Sequence, residues 1–326
     1  MKKLISTLVA VTAALAMTAM PSMAQNWPAK QTIHLIVPFP AGGGTDVVAR
    51  IYAKYMGERL KQTIVVENRG GANGQIGLMA LKQANPDGYT LEICSDSPMT
   101  VNPWIYKNIA YDALRDFIPV TSLIRLPSML AVHPSVKART VAEFIALAKA
   151  NPGSLTYASA GVGNFSHLEM ELFAQAAGIK MVHVPYKGTG PSAMGMIGGE
   201  VQGGFNNVST LLPHVQAGKL IALAVAEPKR MPELPDVPAI AETLPGFDIA
   251  PWVGLLAPIG TPKEIVDRLV TESSAIMNDP AVVKQFRDQQ LNVMLLEREK
   301  FANLIEKDRE KWGKVIKTAG IKMDAQ

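Results

Sequence analysis

Twice along this chain a short apolar run ends in a glycine-rich turn, and an amphipathic stretch follows. "IHLIVPF" passes through three consecutive glycines into "DVVARIYAKYMGERL"; "TIVVENR" passes through "GGANGQIG" into "LMALKQA", and "PDGYTLEIC" comes next. Further on, "LTYASA", Gly161 and Gly163 lead to "SHLEMELFAQAAG", then to "MVHVPYKG" and "PSAMGMIGGEVQGGF". Strand, loop and helix in alternation predict parallel strands covered by helices, so the chain reads as two α/β units.

Two other stretches, "RLPSMLAVHPSV" and "GFDIAPWVGLLAPIGTP", are extended, apolar and punctuated by prolines. They predict two crossings between lobes. Residues 25–124 would then start lobe one, 125–248 form lobe two, and 249–326 return to lobe one with the C-terminal helices. Such a two-lobed α/β fold with two crossings has the anatomy of a periplasmic binding protein, a Venus flytrap whose hinges close around a ligand. Thr140 with Glu143, and Thr261 with Glu264, have capping-box spacing, the second with Pro262 at the first helical position.

What precedes the first unit fixes the compartment. Lys2 and Lys3, an apolar stretch from Leu4 to about Met20, and small residues at Ser22 and Ala24 predict a secretory signal over residues 1–24, cleaved near Ala24. A membrane anchor needs about 20 apolar residues, and this run is interrupted by Ser6, Thr12 and Thr18. A periplasmic protein is expected. Without the two leader lysines the 32 basic and 28 acidic residues come close to balance, and the last amphipathic stretch mixes both signs. No basic stripe for nucleic acid is present. At 48% hydrophobic residues the chain can bury a large core, and Cys94, its only cysteine, excludes an intrachain disulfide.

In open α/β sheets, ligands sit beyond the carboxyl ends of the strands, where glycine lets amides approach and a helix N-terminus favours negative charge. Residues 41–45 meet that description in lobe one and residues 160–165 in lobe two. Thr45 and Ser166 can add hydroxyls, and Asn164 an amide. Two tight strand-to-helix turns with no ligand are the plainer reading. Nucleotides fit poorly: Val47 breaks G-x-G-x-x-G after Gly42 and Gly44, and Thr45 and Asp46 occupy the places of the P-loop lysine and hydroxyl residue.

Catalysis is weakly supported. None of His34, His133, His167, His183 and His214 has a partner at metal-ligand spacing, so neither metal nor other cofactor is expected. A secreted serine hydrolase using Ser166 and His167 is the alternative, although neighbours on a helix point about 100° apart. His167 reads equally well as a residue lining the cradle or as packing.

The segments "VPFPAGGGTDVVAR", "VENRGGANGQIG", "PDGYTL", "LTYASAGVGNFSHLEMELF", "HVPYKGTGPSA", "AGKLIALAV", "LPDVPAIAE" and "LLAPIGTP" resemble, in this order, those of the Bug family. These are the substrate-binding proteins of tripartite tricarboxylate transporters. The resemblance covers essentially the whole chain after the leader. It implies a receptor, not an enzyme, that captures a small organic carboxylate between two lobes and delivers it to membrane permease subunits. A monomer is expected. One carboxylate would be held between two loops matching Phe39, Ala41, Gly43, Gly44, Thr45 and Asp46 on one side, and Ser159, Ala160, Gly163, Asn164, Phe165, Ser166 and His167 on the other.

Two helix N-termini converging on one anion would make uncharged donors sufficient. Asp46 could instead cap its helix or pair with Arg50. The far end of the pocket would involve Ser97, Met99 and Thr100, and Phe205, Asn206 and Asn207. Many relatives carry aspartate where Asn206 stands, which disfavours an amino-acid ligand here. A wall of Phe39, Met99 and Phe205 suits a dicarboxylate or aromatic acid over a tricarboxylate. Lys187 reads as a solvated turn lysine outside the site. Trp104 and Trp252 could stack on a ring or pack a lobe.

Overall fold

A computed structural model describes residues 27–249 and 251–322; the expected leader lies outside them. The first lobe opens with β1 (Ile33–Val37) and α1 (Gly44–Leu60). Val48, Ile51, Tyr52, Met56 and Leu60 recur every three or four residues along α1, so one stripe of that helix is buried on the sheet. The helix ends where Lys61 turns left-handed at φ 52°, and Gln62 N–H closes onto Gly57 O at 3.0 Å. Next come β2 (Ile64–Asn68), α2 (Gln75–Lys82), β3 (Thr90–Ser95), two short helices α3 (Asp96–Thr100) and α4 (Asn102–Ile105), and β4 (Phe117–Arg125).

The chain then crosses at Leu126 and Pro127 and builds the second lobe. This consists of β5 (Ser128–Val132), α5 (Val141–Ala150), β6 (Thr156–Ser159), α6 (Phe165–Ala177), β7 (Val182–Pro185), α7 (Thr189–Ile197), β8 (Gly203–Asn207), α8 (Val208–Gln216) and β9 (Ile221–Val225). It returns through Pro251 into β10 (Trp252–Pro258), then α9 (Lys263–Met277), α10 (Pro280–Asp288), β11 (Asn292–Val293) and α11 (Arg298–Ala319).

Strand order is β11-β4-β10-β3-β1-β2 in the first sheet and β7-β6-β8-β5-β9 in the second. The pairs expected to be parallel are so: β1 with β2 and β3, β6 with β7 and β8. The sheets are nonetheless mixed, because β10 runs antiparallel to β3 and β4, and β5 antiparallel to β8 and β9. A strand arriving from the other lobe enters at the carboxyl ends of the parallel strands. Val253 therefore pairs with Ser95, and Ser128 with Asn207.

Both faces of each sheet are covered. In lobe one, α1, α9 and α10 bury Val48, Leu269 and Phe286 on one side, while Leu78, Trp252 and Phe301 fill the other. In lobe two, Phe144, Phe173 and Phe205 lie under α5 and α6, and Met196 and Leu211 under α7 and α8. The final helix departs from the expected assignment to lobe one. Phe301 and Ile305 belong to the first lobe's core, but Trp312, Val315 and Ile316 pack into the second's. A 22-residue helix, about 33 Å long, can reach across both.

The capping expectations part ways. Thr140 accepts Glu143 N–H at 3.2 Å, while the Glu143 carboxylate takes Arg139 N–H rather than that of Thr140. No box forms at Thr261, because Pro262 occupies the cap position and the Thr261 hydroxyl donates back to Pro258 O.

Candidate functional site in the interlobe cleft

A cavity of about 560 Å³ lies between the lobes at the carboxyl ends of their strands. Its first wall is the turn from β1 into α1. Gly42 adopts φ +84°, and its N–H bonds Asp46 Oδ2 at 2.9 Å. The first helical bond runs from Val47 N–H to Gly43 O, leaving the amides of Gly44, Thr45 and Asp46 without helical partners. Phe39, Ala41, Gly43, Gly44 and Thr45 line the cleft.

Asp46 does not. Oδ2 also takes Arg50 Nε–H and Oδ1 takes the Asn68 amide, each at 2.9 Å. Burial pushes this carboxyl up, but hydrogen bonds from Arg50, Gly42 and Asn68 outweigh it and hold the group below the ordinary range. Asp46 is the anchor of the loop.

The second lobe's glycine loop brings only Ala160, Asn164 and Phe165 to the cleft. Its polar groups are turned on one another. Ser159 Oγ accepts Gly161 N–H and meets His183 Nε2 at 2.6 Å; Ala160 N–H goes to Ser166 Oγ, Ser166 N–H to Asn164 Oδ1, and Gly163 N–H to His167 Nδ1. Ser159, Gly163, Ser166 and His167 therefore shape the loop without lining the cavity.

The proposed hydrolase pair does not form. Ser166 Oγ points to Asn164 Oδ1, while His167 stacks on His183 with ring centroids 3.9 Å apart. Burial, and then the neighbouring His183, push His167 down to about 3, and burial pushes His183 down to about 4. Both rings are neutral at pH 7, consistent with His167 Nδ1 accepting an N–H.

A third wall was missed by the sequence reading. Lys187, Gly188, Thr189, Gly190 and Pro191 line the cleft where α7 begins, so Lys187 does not simply point to solvent from a turn. Gly188 at φ +116° lets the chain turn into that helix. Asn206 braces it: its amide donates to Thr189 O at 3.0 Å and Ser192 Oγ at 2.9 Å, so Asn207, not Asn206, reaches the cavity. Proline after the glycines of "KGTGP" is a helix-start signal that could have shown this.

The expected apolar wall is also reassigned. Phe205 is fully buried against Phe173 and Phe247, and Met99 sits in the first lobe's core. Thr100 donates to Asp96 O, Trp252 is buried with its Nε1–H on Asp308, and Trp104 packs against α11 through Arg309 O. Phe39, Phe165 and Leu126 supply the apolar surface that remains.

The "GGANG" turn adds a fourth wall. Ala72 and Asn73 are both left-handed, at φ 47° and 50°, which aims the Asn73 amide at Gly163 O across the cleft, 3.1 Å away. The floor is Ser95, Asp96 and Ser97. Among the described residues no cluster of His, Cys, Asp and Glu could hold a metal ion, and no helix is long and apolar enough to cross a membrane.

Residues 48–321 match the model of the tripartite tricarboxylate transporter family receptor. The chain belongs to this family. Protein BugT of Bordetella pertussis is 35% identical over 307 residues, covering 94% of each chain. Among solved structures, Rpa4515 of R. palustris with adipate aligns with a TM-score of 0.86 and 34% identity, over 91% of this chain and 99% of that one. MatC (Rpa3494) from Rhodopseudomonas palustris with bound malate gives 0.79 and 30%, over 88% and 99%. The receptor is thus a solute-binding protein of the periplasmic binding fold and not an enzyme. Its glycine cradle and the start of the second lobe's α7 line the same cavity.

Proposed function

We propose that this receptor captures a small organic acid with two oxygen-bearing ends, a dicarboxylate before an aromatic carboxylate, and delivers it to the membrane subunits of a tripartite tricarboxylate transporter. The observation that carries this reading is the pair of helix N-termini, α1 from one lobe and α7 from the other, lining one cavity between them. Each offers unpaired amides and a partial positive charge, worth about 0.3–1 kcal/mol per terminus to a nearby anion. Lys187 adds a full charge at the second wall. The relatives solved with adipate and malate support the choice of diacids.

In this reading the acidic group at one end meets the amides of Gly44 and Thr45 and the Thr45 hydroxyl. The other end meets α7 and Lys187, and Phe39 and Phe165 cover the carbon chain. The expected leader at residues 1–24 supports reading it as a periplasmic receptor, and we read it as a monomer.

A thermal-shift screen of C4–C8 diacids, citrate, benzoate and the acidic amino acids tests the proposal, since a solute at 100 times its Kd adds about 2.7 kcal/mol of apparent stability. Diacids should raise Tm most. Citrate or an amino acid as the strongest hit would contradict the ligand class, and no shift with any acid would contradict the receptor reading.

A further inference from the structure

At the floor of the cleft stands an acid with no basic partner. Asp96 opens α3 and is 1% exposed, yet it lines the cavity. Its Oδ1 accepts Ser97 N–H at 2.8 Å, and no side chain among the described residues hydrogen-bonds its carboxyl group. We propose that Asp96 reads the far end of the bound acid as a hydrogen-bond donor, its protonated carboxyl group meeting a carboxylate or hydroxyl oxygen of the ligand. This rests on the receptor reading and narrows it to acids whose second polar group is an oxygen acceptor and not an ammonium.

The surroundings argue for the proton. Asp308 and Lys311 face Asp96 from α11, Glu169 from α6 and Cys94 from β3. Glu169 is itself buried, with Oε2 taking the Ser128 hydroxyl at 2.7 Å and Oε1 unpaired. The cations nearby are committed elsewhere: Arg125 to Glu227 and Asp248, and Lys311 to the Asp248 carbonyl.

Asp308 receives the Trp252 indole N–H. Three carboxyl groups thus lie near one another without a dedicated counter-ion, and their mutual repulsion favours keeping a proton among them. Burial, and after it the Asp308 carboxylate, push the Asp96 group well up; burial does the same to Glu169. A neutral acid at the wall of a cavity that takes an anion donates where a carboxylate would repel.

Calorimetry on the full chain with adipate, malate and aspartate at pH 6 and pH 8.5 tests this, using wild type, Asp96→Asn and Asp96→Leu, with circular dichroism to check folding. Malate and aspartate differ only in hydroxyl against ammonium. Malate should bind at least tenfold tighter than aspartate. Asp96→Asn, still a donor, should stay within about threefold of wild type for malate at pH 6 and lose any weakening at pH 8.5, whereas Asp96→Leu should lose tenfold or more.

Aspartate binding tighter than malate, with Asp96→Asn as weak as Asp96→Leu, would overturn the inference in favour of an ionised Asp96. The Asp96 carboxyl ¹³C resonance, assigned with Asp96→Asn in the free protein, gives an independent reading. A protonated shift at pH 7 supports the inference and an ionised one overturns it. If neither adipate nor malate bound, the diacid reading would be what failed, and that resonance would still decide Asp96.

Discussion

Leu126 N–H donates to Pro251 O at 2.8 Å, tying the first crossing between the lobes to the second. Both residues also line the cleft, so the hinge forms part of the binding cavity. Closure of the lobes about this pair would bring α1 and α7 together without breaking either sheet. Small-angle scattering should show a smaller radius of gyration with saturating adipate than without it. Identical curves would mean that the solute enters a cleft already closed.

Gly163 sits at φ +71°, and a Cβ there would run into the Ile105 side chain across the seam between the lobes. Gly163→Val should therefore destabilise the fold by about 2 kcal/mol or more, from the left-handed backbone and the clash together. Denaturant titration reads this directly. A midpoint equal to wild type would show that the seam yields.

His167 and His183 are held neutral, with folded values of about 3 and about 4 against about 6.5 unfolded. The unfolded chain binds protons first as pH falls, so their contribution is fully present above pH 6.5 and is lost progressively down to about pH 4 for His183 and about pH 3 for His167. At pH 4.5 each would cost about 2.5–3 kcal/mol. His183→Gln should flatten its share of that loss in urea titrations at pH 7, 6 and 4.5. A variant that loses stability as steeply as wild type would contradict the assignment.

Lys187 is exposed, with no hydrogen bond or ion pair among the described residues, on the wall of the cleft. Lys187→Ala should weaken adipate binding about threefold in low salt and remove most of its salt dependence, because an exposed charge acts through a screened field. Unchanged affinity would return Lys187 to the role of a solvated turn residue.

Much of this arrangement was legible in the chain. The apolar runs and glycine turns gave the strands, the crossings and the first wall, because Gly42 to Gly44 can only precede a helix in a few ways. Less visible was which polar groups would spend themselves on their own loop. Ser159, Gly163, Ser166 and His167 have the residue types of a binding site and are consumed by internal hydrogen bonds. Phe205 was misplaced because alternation along a strand shows two faces without saying which meets solvent, and Met99 because the short helix α3 turns it into the first lobe's core. The reach of α11 into the second lobe depends on where two domains pack, which local pattern does not encode.

The central claim is that the acid is held between α1 and the second lobe, and Gly44 tests it most directly. A Cβ on Gly44 would stand 3.2 Å from Asn207 Nδ2 and from Leu126 Cδ2, while its backbone is one any residue adopts. Gly44→Val should then fold normally but hold the lobes apart and crowd the amides. Titration calorimetry with adipate should show wild type binding and Gly44→Val at least tenfold weaker, a loss of about 1.4 kcal/mol or more. Equal affinity in the two proteins would mean that the acid binds elsewhere.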